Sequence, residues 1–209
     1  MVFDVPVERF FLNYTLSFSI FFSLKNSMMN SPDTTAEWYV LRVTYQRELS
    51  TKEYLDKLNI ENFVPIRVVR RRNSKGQFFR ACEAAVHNYI FIRSTREVID
   101  ELKTYRLPIL RYVMHPQDGE NQIMVVPEEQ MRNFIAVAGN EDEQVLFMSP
   151  EEVALSKGDK VRITGGVFEG VEGLLMRIKN SRGKRVVVKI DGITAVATAS
   201  IPSALVEKI

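Results

Sequence analysis

The sequence predicts an α+β fold in which an antiparallel sheet with flanking helices is followed by a small β-barrel. Strand-like and helix-like patterns alternate through residues 36–139, which indicates the sheet and its helices. Residues 157–209 hold only short strand-like runs separated by glycines, and closure into a barrel would remove their free sheet edges. Residues 140–156 carry five acids and no base, and we expect them to form an acidic linker.

The first domain is expected to run strand, helix, strand, long strand, helix, strand, strand, helix. Aromatic and β-branched residues at positions 38–43 predict the first strand. Residues 50–53 (STKE) and 94–97 (STRE) are capping-box patterns, and each precedes apolar residues at helical spacing. Pro127 and Gly139 are typical of the start and the end of a helix, so they bound the third one.

A basic hairpin is predicted in the middle of this domain. Residues 73–76 (NSKG) suit a turn, and residues 63–69 and 78–92 on either side read as strands. Residues 67–80 carry six bases and no acid: Arg67, Arg70, Arg71, Arg72, Lys75 and Arg80. Such a ribbon could contact the phosphates of a nucleic acid, or it could be an ordinary solvated face.

Five glycines lie in the stretch KGDKVRITGGVFEGVEG at residues 157–173. A phosphate-binding loop is one explanation, but it would need the spacing of a nucleotide-binding motif and a helix that follows it. The residues that follow are apolar and then basic, as in a strand. The glycines are therefore expected to permit turns and sharp bends between short strands of the barrel.

Residues 1–35 form an apolar N-terminal extension. Its charge-free run, residues 10–24, has 15 residues, whereas a membrane span needs roughly 20. The charged start and the lack of small residues before a cleavage point are not typical of a secretory signal. Three explanations stay open: an upstream extension with the true start at Met28 or Met29, an interfacial or loosely ordered tail, and a membrane anchor.

Patterns that carry catalysis or bind metals are lacking in the sequence. His87 and His115 are the only histidines and Cys82 is the only cysteine, and none of them has the spacing of a ligand pair. Cys82 and His87 are expected on opposite faces of one strand, which disfavours a nucleophile and base pair. One cysteine excludes an internal disulfide framework and is consistent with a cytoplasmic location. We expect no enzyme, no cofactor, no metal and no small-molecule substrate.

Four segments together resemble the NusG family of transcription elongation and antitermination factors. They are EWYVLRV at 37–43, HNYIFI at 87–92, KGDKVRITGGVFEGVEGLL at 157–175 and SALVEKI at 203–209. The first two are similar to strands of the family's N-terminal NGN domain, and the third is similar to its KOW motif. The resemblance implies an NGN-like domain at residues 36–139 and an SH3-like KOW barrel at residues 157–209.

Membership would imply a factor that binds the β′ clamp helices of RNA polymerase through an apolar pocket and suppresses pausing or termination. Carried over by motif, Val86 and Tyr89 of the central strand and Arg42 of the first strand are the polymerase-binding positions. The basic positions near upstream or non-template DNA would be Arg70, Arg71, Arg72 and Lys75. The KOW motif would comprise Lys157, Gly158, Asp159, Gly166, Phe168, Gly170 and Gly173, in a barrel that recruits an unknown protein partner.

Val86, His87 and Asp191 depart from the residues of the family's general factor. With the basic hairpin and the N-terminal extension, they make the chain similar to specialised UpxY-type antiterminators of surface-polysaccharide operons. Two alternatives stay open. A ribosome-associated or RNA-binding KOW protein would suit the ten bases against five acids of residues 157–209. A membrane-tethered adaptor would use the apolar N-terminal run, although we expect no membrane partner.

Overall fold

A computed structural model of the chain describes residues 36–117, 119–140, 145–149, 152, 158–178 and 183–209. The expectations for the N-terminal extension and for Lys157 lie outside these residues. No helix among the described residues has the length and apolar character to cross a membrane.

The first sheet has five antiparallel strands in the order β2-β5-β1-β6, with β9 paired to the start of β1. Its strands are β1 (Glu37–Val43), β2 (Asn62–Phe63), β5 (Tyr89–Ser94), β6 (Leu110–Tyr112) and β9 (Val125–Val126). Two separate ribbons project from the chain between these strands: β3 (Ile66–Arg72) with β4 (Phe78–Ala84), and β7 (Met114–Gln117) with β8 (Glu120–Ile123). The fold is therefore mixed α+β with antiparallel sheets, as the sequence predicts.

Three α-helices occur among the described residues: α1 (Glu48–Lys57), α2 (Arg96–Glu101) and α3 (Glu128–Ala138). A π-helical turn, Leu102–Arg106, continues α2. The predicted capping boxes are each displaced: α1 already begins at Glu48, before Ser50, and the cap of α2 is the Thr95 hydroxyl, which accepts from Val98 N. Gly139 ends α3 as expected, and its N–H donates to Ile135 O at 2.8 Å.

The predicted long strand at residues 78–92 is wrong, because the chain turns between Ala84 and Tyr89 and forms β4 and β5 separately. Asn88 in this turn has φ 67°, a left-handed conformation that asparagine tolerates better than most residues. Cys82 and His87 therefore do not share a strand. Cys82 is an exposed free thiol on β4, and His87 lies exposed in the turn.

The two faces of the first sheet are buried by different helices, as the two-residue period of β1 requires. Tyr39, Leu41 and Val43 face one core, which α1 and α2 complete with Leu55 and Ile99. Trp38, Val40 and the β5 residue Phe91 face the other core, which α3 covers with Met131 and Phe134. Arg42 and Tyr89 also lie on this second face. They pair near one end of the β1–β5 ladder, whereas Trp38 lies near the other end.

The second sheet has six antiparallel strands in the order β10-β14-β13-β12-β11-β15. The strands are β10 (Leu146–Met148), β11 (Asp159–Ile163), β12 (Glu172–Met176), β13 (Arg185–Ile190), β14 (Thr194–Ala197) and β15 (Val206–Lys208). Residues 146–148 fall inside the expected acidic linker but pair with β14. Pairing between the edge strands β10 and β15, which would close a barrel, is not shown among the described residues.

Helix α3 joins the two sheets into one core. Phe134 is fully buried and packs against Phe91 and Phe63 of the first sheet, with ring centroids 5.6 and 6.0 Å away. The same apolar cluster includes residues of the second sheet, such as Val186 and Ile190. Polar contacts add to it: Gln130 Nε2 donates to Lys189 O at 2.7 Å, and Glu172 N donates to Asn133 Oδ1 at 3.3 Å.

Candidate polymerase and nucleic-acid interface

Arg42 and Tyr89, two of the predicted polymerase-binding residues, lie next to each other. They occupy paired positions on β1 and β5. Arg42 Nη2 donates to the Tyr89 hydroxyl at 3.4 Å, and its guanidinium carbon lies 5.8 Å from the centre of the Tyr89 ring. The Arg42 side chain is exposed and Tyr89 is half-buried, so the pair offers a charge, a hydroxyl and part of a ring to a partner.

Val86, the third predicted polymerase-binding residue, is not on the central strand. It lies in the turn before β5, where it is only 9% exposed and packs in the same apolar cluster that contacts Tyr89. A side chain at this depth has little surface to offer to a partner. The structure thus brings Arg42 and Tyr89 together at the surface, whereas Val86 is buried.

A buried carboxylate fixes the turn that carries Val86. Glu48 is 3% exposed, and its Oε1 accepts a short hydrogen bond from the backbone N–H of Asn88. The Asn88 carbonyl in turn accepts from Val43 N at 2.8 Å, which connects the turn to the end of β1. Sequence reasoning missed Glu48, because its partner lies 40 residues away. This contact connects the turn that precedes Tyr89 to helix α1.

The basic hairpin forms as predicted, with its tip at residues 73–76. The Asn73 Oδ1 atom accepts from Lys75 N and Gln77 N, at 3.0 and 2.9 Å, and Gly76 adopts φ 81°. Strands β3 and β4 pair in register from Ile66↔Ala84 to Arg72↔Phe78. The arginines of the hairpin are exposed, and Lys75 lies exposed at its tip.

The hairpin charge is not uniform, because Glu83 neutralises part of it. Its carboxylate is bound by Arg67 at 2.7 Å and by Arg71 at 2.5 Å. The hydrogen bonds from Arg71 and Arg67 lower the pKa of the Glu83 carboxyl below its ordinary value. Arg71 was predicted to be near nucleic acid with Arg70, Arg72 and Lys75, but its guanidinium is engaged by this acid.

Residues of the predicted KOW motif surround the turn between β11 and β12. Phe168 is 5% exposed and packs in the core that α3 shares. Gly173 lies where an added Cβ would be 2.6 Å from the Val187 carbonyl oxygen, so strand β13 leaves no room for a side chain. Gly170 has φ 84°, which glycine adopts without steric cost.

The other KOW motif positions have structural neighbours as well. Gly158 precedes β11, and Gly166 lies in the turn. The Asp159 carboxylate pairs with Lys208 Nζ at 2.9 Å, and this hydrogen bond lowers the Asp159 pKa. Asp191 is exposed in the β13–β14 turn and pairs with Lys189 at 2.8 Å.

Within the described part of the chain, no group of three or more His, Cys, Asp or Glu side chains is arranged to hold a metal ion. The predicted site residues form two features: a paired arginine and tyrosine on the first sheet, and an arginine-rich two-stranded ribbon.

Residues 36–135 match the family model described as NusG, transcription termination factor nusG. The matched segment covers the first sheet, the β3–β4 ribbon and most of α3. Proteins of this family are transcription elongation or termination factors rather than enzymes, and they generally bind RNA polymerase. Comparison with curated proteins gives no match.

Proposed function

We propose that this chain is a transcription elongation and antitermination factor that binds the β′ clamp helices of RNA polymerase and suppresses pausing or termination. The observation that carries the proposal is the family match over residues 36–135, the segment that contains the Arg42 and Tyr89 pair. In this proposal residues 36–139 act as the NGN-like domain and residues 157–209 as a KOW barrel tethered to it.

The mechanism is differential binding to two states of the polymerase. A ligand shifts a conformational equilibrium only by the difference between its affinities for the two states. The factor therefore has to bind the closed, active clamp more tightly than the open clamp of the paused enzyme. An aromatic ring with a hydroxyl, next to a guanidinium, suits a helical surface that presents both apolar and acidic side chains.

The finer assignment is a specialised UpxY-like paralogue that acts on surface-polysaccharide operons. It is supported by the basic ribbon and by the residues that depart from the general factor, Val86, His87 and Asp191. The KOW unit would recruit a separate protein. In the general factor an aromatic residue in the loop of Asp191 contacts the ribosome. Because this chain has an aspartate there, we expect no coupling to the ribosome through that contact.

The test is a pull-down of core RNA polymerase by the full chain, with an isolated β′ clamp-helix fragment as competitor. We expect binding that the fragment competes for, and we expect Tyr89→Ala to weaken it about tenfold, as for a moderate interface hot spot. Tyr105→Ala is the matched control, because Tyr105 is 79% exposed on the turn after α2, away from the proposed interface. Normal binding by a folded Tyr89→Ala variant would refute the site.

A ribosome-associated or RNA-binding role is the second candidate, and the basic excess of residues 157–209 favours it. Co-sedimentation with ribosomes, together with failure to bind the polymerase, would select this role over the first.

A further inference from the structure

The turn between β1 and α1, residues 44–47, holds two consecutive residues in a left-handed backbone conformation. Tyr45 has φ 65° and ψ 29°, and Gln46 has φ 52°. This conformation brings the Cβ of an L-residue too close to the following carbonyl oxygen, and for a bulky side chain it is rare. Glycine adopts it without this repulsion. On steric grounds alone, the turn favours glycine where the chain has a tyrosine.

Contacts on both sides of the turn explain the shape of its backbone. Before it, Val43 N donates to Asn88 O at 2.8 Å. After it, the buried Glu48 carboxylate accepts a hydrogen bond from Asn88 N. Residues 44–47 have to connect these two fixed points and change the direction of the chain within four residues. The fold therefore accounts for the left-handed backbone, but it does not account for the tyrosine side chain.

The Tyr45 side chain makes few contacts within the chain. It is 81% exposed, and its hydroxyl forms no hydrogen bond with any residue of the described ranges. The Arg47 guanidinium carbon lies 6.0 Å from the centre of its ring, at the exposed surface. Strained backbone conformations cluster at binding and catalytic sites. An exposed aromatic ring in such a conformation is therefore a candidate for contact with a partner.

Tyr45 and Arg47 form a second arginine–tyrosine pair near the predicted polymerase-binding pair, Arg42 and Tyr89. Both pairs lie at the end of β1 that leads into α1. The hydrogen bond between α1 and the turn before β5 connects them, because it joins the residue after Arg47 to the residue before Tyr89. Neither arginine forms an ion pair with a described residue. This end of the sheet thus presents two uncompensated positive charges and two tyrosines.

We propose that Tyr45 and Arg47 extend the polymerase-binding surface and contact the same helical partner as Arg42 and Tyr89. The inference rests on the proposed function, since it adds two residues to that site. A guanidinium forms strong hydrogen bonds with carboxylates, and a tyrosine ring covers apolar surface while its hydroxyl stays available for a hydrogen bond. The partner surface that suits both pairs carries acidic and apolar side chains. Because contacts on both sides fix the turn, little conformational freedom remains to be lost when Tyr45 binds.

Replacement of Tyr45 by glycine should have opposite effects on stability and on binding. Removing the strained Cβ should raise the midpoint of thermal unfolding by about 2–4 °C, whereas removing the ring should weaken binding. Affinity is measured by fluorescence anisotropy, with the full chain added to a labelled fragment of the β′ clamp helices. We expect Tyr45→Gly to weaken binding about fivefold or more, as for a residue of an interface hot spot. Arg47→Gln should weaken it about two- to fivefold and reduce its dependence on salt.

Two control variants separate the side chain from the strain. Gln46→Gly relieves the left-handed backbone of the neighbouring residue, so we expect a similar rise of the midpoint with less than about a twofold change in affinity. Tyr105→Ala removes a tyrosine that is 79% exposed on the turn after α2. It should also leave the affinity within about twofold of its original value.

Other outcomes would overturn the proposal. If Tyr89→Ala weakens binding of the fragment and Tyr45→Gly does not, Tyr45 lies outside the interface and the proposed function stands. If the unmodified chain does not bind the fragment, the proposed function fails and this extension fails with it. A lower midpoint for Tyr45→Gly would show that the ring stabilises the fold. Loss of affinity for oligothymidine, with normal affinity for the fragment, would assign Tyr45 to nucleic acid instead of the polymerase.

Discussion

Glu83 neutralises part of the positive charge of the β3–β4 ribbon by pairing with Arg67 and Arg71. The pKa of its carboxyl can be measured directly. Hydrogen bonds from Arg71 and Arg67 lower its pKa in the folded protein. A lowered carboxyl pKa stabilises the fold at pH values above the unfolded-state pKa, and that contribution is lost as the pH falls through the folded-state value. We expect NMR titration of the Glu83 carboxyl to give a pKa below the ordinary range, and Arg71→Gln to raise it. An unchanged pKa in the variant would contradict the ion pair.

The pairing of Glu83 with Arg67 can be predicted from the sequence once the turn of the hairpin is located. The NSKG turn fixes the register, and counting outward from it places Arg67 opposite Glu83. Glu83 lies three residues beyond Arg80, where the acid-free segment ends. The burial of Val86 and the contact between Glu48 and Asn88 could not be found in this way, because they depend on packing between segments distant in the chain.

Gly173 offers a second prediction at the scale of one residue. An added Cβ would be 2.6 Å from Val187 O and 2.8 Å from a Val186 methyl carbon, and the backbone of β13 cannot move without breaking its ladder. We expect Gly173→Ala to lower the free energy of unfolding by about 1–3 kcal/mol, the usual cost of overpacking. Denaturant titration measures it. Gly165→Ala is the control, because the nearest atom to its Cβ would be a flexible Leu205 methyl carbon at 3.4 Å; equal losses would refute the close approach.

At the scale of elements, the sequence predicted which segments are helices and strands better than it predicted where they begin and end. All three helices were found because their apolar residues repeat at helical spacing. The break between β4 and β5 was missed, because the residues around it are apolar enough to continue a strand. In this break the Asn88 N–H donates to the Glu48 carboxylate of α1, a contact over 40 residues of sequence that no local pattern indicates.

This hydrogen bond leads to a prediction for the element that it connects. Removing the Glu48 carboxylate would leave the part-buried Asn88 N–H without its charged acceptor, and a hydrogen bond to a charged group contributes about 1.5–3 kcal/mol. We expect Glu48→Ala to lower the free energy of unfolding by this amount and to accelerate hydrogen exchange at Asn88. Glu48→Gln keeps an acceptor oxygen and should lose less. If both variants exchanged at the same rate as the unmodified chain, the contact would not be holding the turn.

At the scale of the whole molecule, the two sheets share a core around α3, although the sequence suggested two domains joined by a linker. Phe134 contacts the first sheet, and its cluster continues into Val186 and Ile190 of the second. The spacing of apolar residues predicts that α3 is amphipathic. It does not predict that a second sheet covers the part of the helix surface that the first sheet leaves exposed. A shared core couples the stability of the two parts.

The coupling can be measured because the chain contains a single tryptophan, Trp38, which is buried in the first sheet. Ile190→Ala removes a side chain that is 1% exposed in the second sheet and should cost about 2–5 kcal/mol, the usual loss for a large core truncation. If the sheets unfold as one cooperative unit, this substitution lowers the denaturation midpoint of Trp38 fluorescence as much as that of far-ultraviolet circular dichroism. Leu55→Ala, in the other core of the first sheet, is the positive control. A Trp38 midpoint that Ile190→Ala leaves unchanged, while Leu55→Ala lowers it, would show that α3 does not couple the two sheets.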